Sequence, residues 1–221
     1  MLAKRLAESR IKKRTNNNIK MDTFLQNLRS RTSDQHSLLD QTTASKNLLC
    51  QQVTVADYAA YLSLLYGFLK GFENIVFPIL QHSIIGIEER RKTHLIVADL
   101  NSLGIDEAGI ASIPEVFFSE VYHSNATALG GMYVLEGSIL GGVVILKHLQ
   151  RTLGIEALAG QASYFTAYGS EIGSRWKLFL EAFCHSSSGM EEEVIESASQ
   201  TFSILHQWFN NNSFKITQHD S

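Results

Sequence analysis

Five glycines in one apolar stretch are the first feature of this sequence that points to chemistry. They are Gly130, Gly131, Gly137, Gly141 and Gly142, within the segment GGMYVLEGSILGG. Each glycine costs a helix about 1 kcal/mol relative to alanine, so the chain places them against helix propensity. On a helical wheel Gly130, Gly137 and Gly141 share a face that another helix or a planar cofactor can approach closely. The glycine spacing alone favours neither interpretation.

A histidine elsewhere in the chain has the surroundings expected of an axial haem ligand. His36 continues an inward-facing helical stripe formed by Leu25, Leu28 and Thr32. Asp40 follows one turn later, where its carboxylate can accept a hydrogen bond from Nδ1 and leave Nε2 for iron. Arg29, two turns before His36, supplies a cation for a propionate. The alternative is a satisfied core histidine, which is the commoner role of a histidine on an apolar face.

Helices must position these residues, because helical periodicity runs through almost the whole chain. No hairpin signal occurs, and the only prolines are Pro78 and Pro114. The predicted helices span residues 22–40, 54–78, 87–101, 124–153, 170–183 and 190–210. We therefore predict an all-α, single-domain helical bundle.

Composition limits the function classes. The 221 residues are 44% hydrophobic and 19% charged, which is typical of a globular protein. The net charge of −3 gives no reason to expect a nucleic-acid partner. Two distant cysteines, Cys50 and Cys184, form neither a disulfide framework nor a zinc motif. These features favour a reducing compartment, and we expect a cytoplasmic protein.

The chain divides by composition into three parts. Residues 1–21 are basic and polar and have no apolar signal-peptide core, so we expect a disordered extension. Residues 22–212 carry the helical pattern and form the expected domain, and residues 213–221 form a tail.

The glycine-rich helix is apolar enough to raise the alternative of a membrane span. Gly137 and Gly141 also match the small-residue spacing by which membrane helices pack. Glu136 lies at the centre of the segment, where a lone charge costs roughly 3 kcal/mol in a bilayer. The other helices are amphipathic, so the pattern favours a helix buried inside a soluble bundle over one in a membrane.

Two further alternatives belong to other classes. A di-iron oxidase bundle needs two Glu-x-x-His motifs, and the chain has one, Glu120-x-x-His123. A scaffolding bundle would use the glycines only for close helix contacts.

Three segments together resemble the haem oxygenases. They are LRSRTSDQHSLLD (28–40), LGGMYVLEGSILGG (129–142) and YFTAYGSEIGSRWKLF (164–179). The resemblance covers roughly residues 22–210 and is closer to the bacterial, biliverdin-producing branch associated with phytochromes. It implies a helical domain that holds haem between a proximal and a distal helix.

The resemblance also implies residue roles. His36 matches the proximal metal ligand, and the catalytic residues are His36, Gly137, Ser138 and Gly141. Three positions depart from common family patterns. Asp40 stands where many members have glutamate, Ser138 where mammalian-type members have aspartate, and Val143 where many bacterial members have a basic or polar residue. The implied haem-binding residues are Arg29, Thr32, His36, Asp40, Tyr133, Gly137, Gly141, Tyr168, Lys177, Phe202 and Phe209.

The activity implied by the resemblance is oxidative opening of haem to biliverdin, with release of CO and ferrous iron. Haem would be both cofactor and substrate, O2 the oxidant, and a separate protein or reductant the electron donor. A phytochrome is a candidate acceptor of the biliverdin. The alternative is a helical domain that binds haem or a protein partner without turnover.

Overall fold

The computed structural model describes residues 2–118, 120–154, 160 and 162–216, and the side chains among them from residue 19 to residue 213. Within these residues there is no strand, which agrees with the predicted all-α fold. The described residues form two short 3₁₀ turns, Ile87–Arg90 and Gly169–Glu171. The α-helices among them are α1 (Leu2–Asp40), α2 (Thr43–Leu49), α3 (Val55–Leu80), α4 (Thr93–Ser102), α5 (Glu107–Ser112), α6 (Asn125–Leu153), α7 (Ile172–Ser186) and α8 (Glu191–Ile216).

The predicted domain boundaries do not coincide with helix ends. Helix α1 runs without a break through residue 21, where the basic extension was expected to end. The side chains before residue 19 lie outside the described part. Helix α8 continues to Ile216, and the rest of the predicted tail also lies outside the described part.

The caps of the two long central helices follow the sequence signals. Helix α3 begins with a capping box, in which Thr54 N donates to Asp57 Oδ2 (2.9 Å) and Asp57 N donates to Thr54 Oγ1 (3.1 Å). Ser124 and Thr127 form an equivalent box at the start of α6. Gly154, with φ of 92°, ends α6 in a conformation that side-chain-bearing residues rarely adopt. The predicted start of the helix over 54–78 and the predicted bounds of the helix over 124–153 agree with these caps.

The predicted helix over residues 87–101 is wrong in its first part. A 3₁₀ turn ends at Arg90, and α4 begins only at Thr93. The carboxylate of Glu73 on α3 accepts hydrogen bonds from Lys92 N (2.6 Å) and Thr93 N (3.1 Å). Because these donors are satisfied by another helix, the start of α4 depends on tertiary structure. Helix α7, predicted from residue 170, begins at Ile172 without a side-chain cap.

Helix α8 is the element on which the two site helices pack. Both α6 and α1 have extensive contacts with α8, and α3 packs on α6 and α8 from the other side. A Cβ atom added to Gly130 would lie 2.5 Å from Val194 O, so the backbones of α6 and α8 touch there. The core beneath contains fully buried aromatic side chains, among them Phe72, Phe118, Phe179 and Phe183.

Helix α6 is the one helix in the described residues that is long and apolar enough to cross a membrane. More than half of its most apolar window, 56%, is buried inside the fold. Glu136, in the middle of that window, is buried and ion-paired with Arg90 and Lys92. The apolar composition of α6 is therefore accounted for by its position as the core helix.

Candidate functional site

His36 lies on α1 where a buried stripe reaches the surface. Leu28 and Thr32 are buried, and the Thr32 hydroxyl donates to Leu28 O at 2.8 Å. One turn later the His36 side chain is 59% exposed, and its Nδ1 lies 3.1 Å from Asp40 Oδ2. The ring meets Phe202 of α8 edge-on, with centroids 5.3 Å apart. The described residues offer Nε2 no hydrogen bond, so this nitrogen is available to a ligand.

The glycines of α6 separate into two groups. An added Cβ would lie 2.5 Å from Val194 O at Gly130, 2.7 Å from Phe72 at Gly131 and 2.6 Å from Phe165 at Gly142. These three glycines are required for packing. At Gly141 an added Cβ would meet no atom of the described residues within 4 Å, and at Gly137 it would meet only Trp176, at 3.7 Å. Protein packing therefore does not explain the last two.

The exposed surface of α6 around Gly137 and Gly141 is suited to bind a flat apolar ligand. Leu140 and Val144, on either side of Gly141, are 37% and 67% exposed, although α6 is otherwise a core helix. Exposed apolar side chains beside unfilled glycines form a cradle that a Cβ would partly fill. With an available imidazole nitrogen on α1, the residues present fit haem.

Arg29 on α1 and Tyr133 on α6 are neighbours. The Arg29 guanidinium lies near enough to the Tyr133 phenol to act on its pKa. Burial raises the pKa of Tyr133, and the neighbouring cation partly opposes that rise. The Tyr133 ring packs on Trp176 and Phe183, with centroids 5.8 and 5.5 Å away. The cation and the phenol are together suited to bind a carboxylate such as a propionate.

Several predicted residues lie differently from the simplest expectation. Lys177 on α7 is exposed and forms no ion pair with the described residues. Ser138 is exposed, and its hydroxyl donates to Leu135 O at 2.7 Å. Phe209 is buried in the core, edge-on to Tyr61 at 5.5 Å. The structure therefore groups His36, Asp40 and Phe202, and it does not bring Lys177 into the same set of contacts.

Tyr168 belongs to a buried ionic cluster that the sequence did not reveal. Its hydroxyl donates to Glu136 Oε1 (2.9 Å) and accepts from Lys92 Nζ (2.8 Å). Lys92 Nζ also donates to Glu136 Oε1 (2.7 Å), and Arg90 pairs with the other oxygen of the same carboxylate. Burial lowers the pKa of Lys92, and Glu136 opposes that change. The cluster consists of Arg90, Lys92, Glu136 and Tyr168. Its member Glu136 directly precedes Gly137 on α6.

Two signals could have identified the missed residues. A glutamate in the middle of an apolar helix has to be paired if it is buried, so Glu136 predicts a cationic partner but not which one. Trp176, beside Gly137, is not among the predicted site residues. Its role follows from the contact between α7 and α6, which the periodicity of one helix cannot show.

The di-iron alternative finds no support in the described part of the chain. No group of three histidine, cysteine, aspartate or glutamate side chains there is arranged to hold a metal ion. A single axial histidine on haem needs no such group.

Comparisons with known proteins identify the family of this chain. A family model described as heme oxygenase matches residues 22–211. The fold is similar to heme oxygenase from Leptospira interrogans (TM-score 0.71, 16% identity, 85% of this chain and 98% of that one). It is also similar to the NO- and CO-bound heme oxygenase from Neisseria meningitidis (TM-score 0.64, 22% identity, 86% and 92%).

A third similar structure is heme oxygenase-1 from the cyanobacterium Synechocystis sp. PCC6803 in complex with heme (TM-score 0.66, 16% identity, 89% and 95%). No curated protein sequence gives a significant match. The family model covers most of the chain, and the all-helical fold is that of the solved relatives. The chain therefore belongs to the haem oxygenase family of haem-degrading oxidoreductases.

Proposed function

We propose that this chain opens haem to biliverdin, releasing CO and ferrous iron, with His36 as the proximal ligand. The observation that carries the proposal is the state of His36. Its Nδ1 is held by Asp40 at 3.1 Å, while its Nε2 has no partner in the described residues and the ring is more than half exposed. A neutral imidazole whose other nitrogen is held by a carboxylate is a typical axial ligand.

The protein residues in this proposal bind and orient the substrate. Asp40 fixes the tautomer and the ring of His36, so that Nε2 presents its lone pair to iron. Arg29 and Tyr133 hold a propionate and thereby set the rotation of the ring. Gly137 and Gly141 leave space on the distal side for O2. When bound, haem supplies both the iron that activates O2 and the carbon that is oxidised.

The proposed reaction also needs electrons, and we propose that a separate donor supplies them. We propose a reducing, cytoplasmic setting, in which two unpaired cysteines are stable and a protein reductant can dock.

The Leu-Glu-Gly-Ser sequence at 135–138 supports the bacterial, phytochrome-associated branch of the family. A phytochrome is then the proposed acceptor of biliverdin. Mixing the reaction product with a phytochrome apoprotein and recording its red absorption band tests this assignment, and an unchanged spectrum would contradict it.

Haem titration followed by single turnover tests the proposed function. Ferric haem should give a Soret band, and an electron donor in air should remove it while biliverdin absorption rises. His36→Ala should lose the Soret band of the bound form or its turnover. His82→Ala, which removes an exposed histidine at the end of α3, serves as the control.

Chromatographic identification of the product completes this experiment. A Soret band that persists after reduction in air would instead identify a haem-binding domain without turnover. No spectral change on adding haem would favour the scaffolding alternative. Unchanged haem affinity and biliverdin production in His36→Ala would overturn the assignment of the ligand.

A further inference from the structure

One buried carboxylate lies between two separate cavities. A groove of about 450 Å³ opens between α3 and the start of α4, and Glu73 forms part of its lining. A much smaller void of about 10 Å³ also has Glu73 in its lining. The residue itself is buried, at 3% exposure. Glu73 therefore connects the solvent-filled groove to the interior of the protein.

The hydrogen bonds of Glu73 are unevenly divided between its two oxygens. Oε1 accepts from Lys92 N at 2.6 Å and from Thr93 N at 3.1 Å. The nearest cation to Oε2 is Arg91 Nη1, at 3.6 Å. Oε2 is therefore the oxygen that retains capacity to bond a water molecule or carry a proton.

The inner void is large enough for one water molecule and has polar groups to hold it. Buried waters need roughly 10–15 Å³ and two to four polar partners. Apolar side chains close the remaining sides of this void. Its polar lining consists of Glu73, Arg90, Lys92, Glu136 and Tyr164.

Tyr164 extends from this void to the distal glycines. Its backbone N–H donates to Asp99 Oδ2 at 2.9 Å, and Ser163 N donates to Asp99 Oδ1 at 2.7 Å. This buried aspartate fixes the loop that carries the phenol. The phenol oxygen lies 3.5 Å from Ser138 Oγ, beside Gly137. Because the Ser138 hydroxyl already donates to Leu135 O, Tyr164 is the donor in this contact.

We propose that Glu73, one water molecule in the void, and Tyr164 form a proton path from the α3–α4 groove to Ser138 on the distal side. This inference rests on the proposed function, which consumes protons as O2 is reduced. Its entry point is distinct from the haem cleft, since the groove is lined by α3 and by residues 91–97.

Proton movement along this path is balanced at every step. Ser138 turns its hydroxyl proton from Leu135 O to the distal acceptor and takes a proton from Tyr164. The phenol takes one from the void water, and the water takes one that Glu73 has received from the groove. Burial raises the pKa of Tyr164 to about 12, so the phenol stays neutral and passes protons on without being left charged.

Charged groups face the path at both of its ends. In the groove they are Lys70, Arg91 and His94. At the void they are Arg90, Lys92 and Glu136, whose two cations are paired with the one carboxylate. The other carboxylate at the void, Glu136, is therefore already paired with two cations.

Tyr164→Phe and Glu73→Gln test the path, and Tyr122→Phe is the matched control. Tyr122 is equally buried, and its hydroxyl contacts Thr201 at 2.9 Å, away from the void. The two path variants should form biliverdin about 10-fold or more slowly, with unchanged haem affinity. Their solvent-deuterium rate effect should also differ from that of the wild type, while the control keeps the wild-type values.

Two measurements that do not use turnover complete the test. A crystal structure of the haem-free protein should show one ordered water between Glu73 and Tyr164. The midpoint pH of the alkaline change in the ferric Soret band should shift in Tyr164→Phe and stay in place in Tyr122→Phe.

A dry void, or a Tyr164→Phe variant with wild-type rate, isotope effect and midpoint pH, would overturn the path. Should Glu73→Gln fail to fold, Tyr164→Phe alone decides the question. Should the wild type bind haem without making biliverdin, the proposed function fails, and the ordered water and the midpoint pH still decide whether the path exists.

Discussion

Asp40 Oδ2 lies 3.1 Å from Nδ1 of His36, one turn away on the same helix. Both side chains are 59% exposed, so neither is held by burial. The hydrogen bond is therefore what orients the ring, apart from its edge-on contact with Phe202. An aspartate is long enough for this bond at i, i+4 spacing, although many family members carry glutamate there.

Removal of the Asp40 carboxylate should weaken haem binding. Asp40→Ala should lower the affinity for ferric haem about 10- to 100-fold, as expected for loss of a partner that orients a metal ligand. Asp40→Glu should retain most of the affinity. Asp34→Ala, on an exposed part of α1, is the control in the same Soret titration. Equal affinities of Asp40→Ala and Asp34→Ala would show that the carboxylate does not orient the ligand.

A side chain at Gly141 should block the ligand without damaging the fold. Gly141→Leu meets no described atom within 4 Å of its Cβ and replaces a poor helix former by a good one. We expect a free energy of unfolding equal to the wild type or up to about 1 kcal/mol higher. Haem titration should show binding that is strongly weakened. Normal haem binding by this variant would place the ligand elsewhere.

Gly130 should show the opposite behaviour. Gly130→Ala places a Cβ 2.5 Å from Val194 O and 2.7 Å from Ala198 N, both rigid backbone atoms of α8. We expect a loss of about 1–3 kcal/mol in the free energy of unfolding, measured by urea denaturation. A variant as stable as the wild type would mean that α6 and α8 do not approach so closely.

Neutralising Glu136 should destabilise the fold. Glu136→Gln leaves Arg90 and Lys92 buried without their shared carboxylate. Breaking a buried ion pair in this way typically costs about 3–5 kcal/mol. Glu89→Gln, which removes an exposed partner of Arg175, should change the free energy of unfolding by less than about 1 kcal/mol. Similar urea midpoints for the two variants would show that the buried ion pairs of Glu136 stabilise the fold no more than the exposed pair of Glu89 does.

Stability should fall in alkaline solution partly through Cys184. Burial raises the pKa of this thiol from 9.0 to about 11 in the folded protein. The protonated thiol therefore contributes stability that is complete below pH 9 and is lost as the pH rises through about 11. In urea titrations Cys184→Ala should lose less stability over this range than Cys50→Ala does. Equal losses of stability in the two variants would show that burial does not raise the pKa of the Cys184 thiol.

The long helices and their caps could be predicted because their signals are local. Thr54 with Asp57, and Gly154 at the end of α6, need only neighbours in sequence. Helices α2 and α5 were not predicted, since seven and six residues are too short to show a 3.6-residue period. The start of α4 depends on Glu73, which is 19 residues away from Lys92.

In the candidate site, too, only relations between residues close in sequence could be predicted. The relation of His36 to Asp40 is a spacing within one helix, and it could be read directly. The distinction between Gly130 and Gly141 requires knowledge of what packs on each. The partner of Tyr168 could not be predicted because its bond to Glu136 spans 32 residues.

The exposed apolar part of α6 makes the thermal stability of this protein depend on haem binding. Leu140 and Val144 remain in contact with water, so the ligand-free chain forgoes part of the burial that its apolar residues could provide. A ligand that covers them binds only the folded state and raises the melting temperature by mass action. Haem-free chains should therefore unfold at a lower temperature than haem-loaded chains.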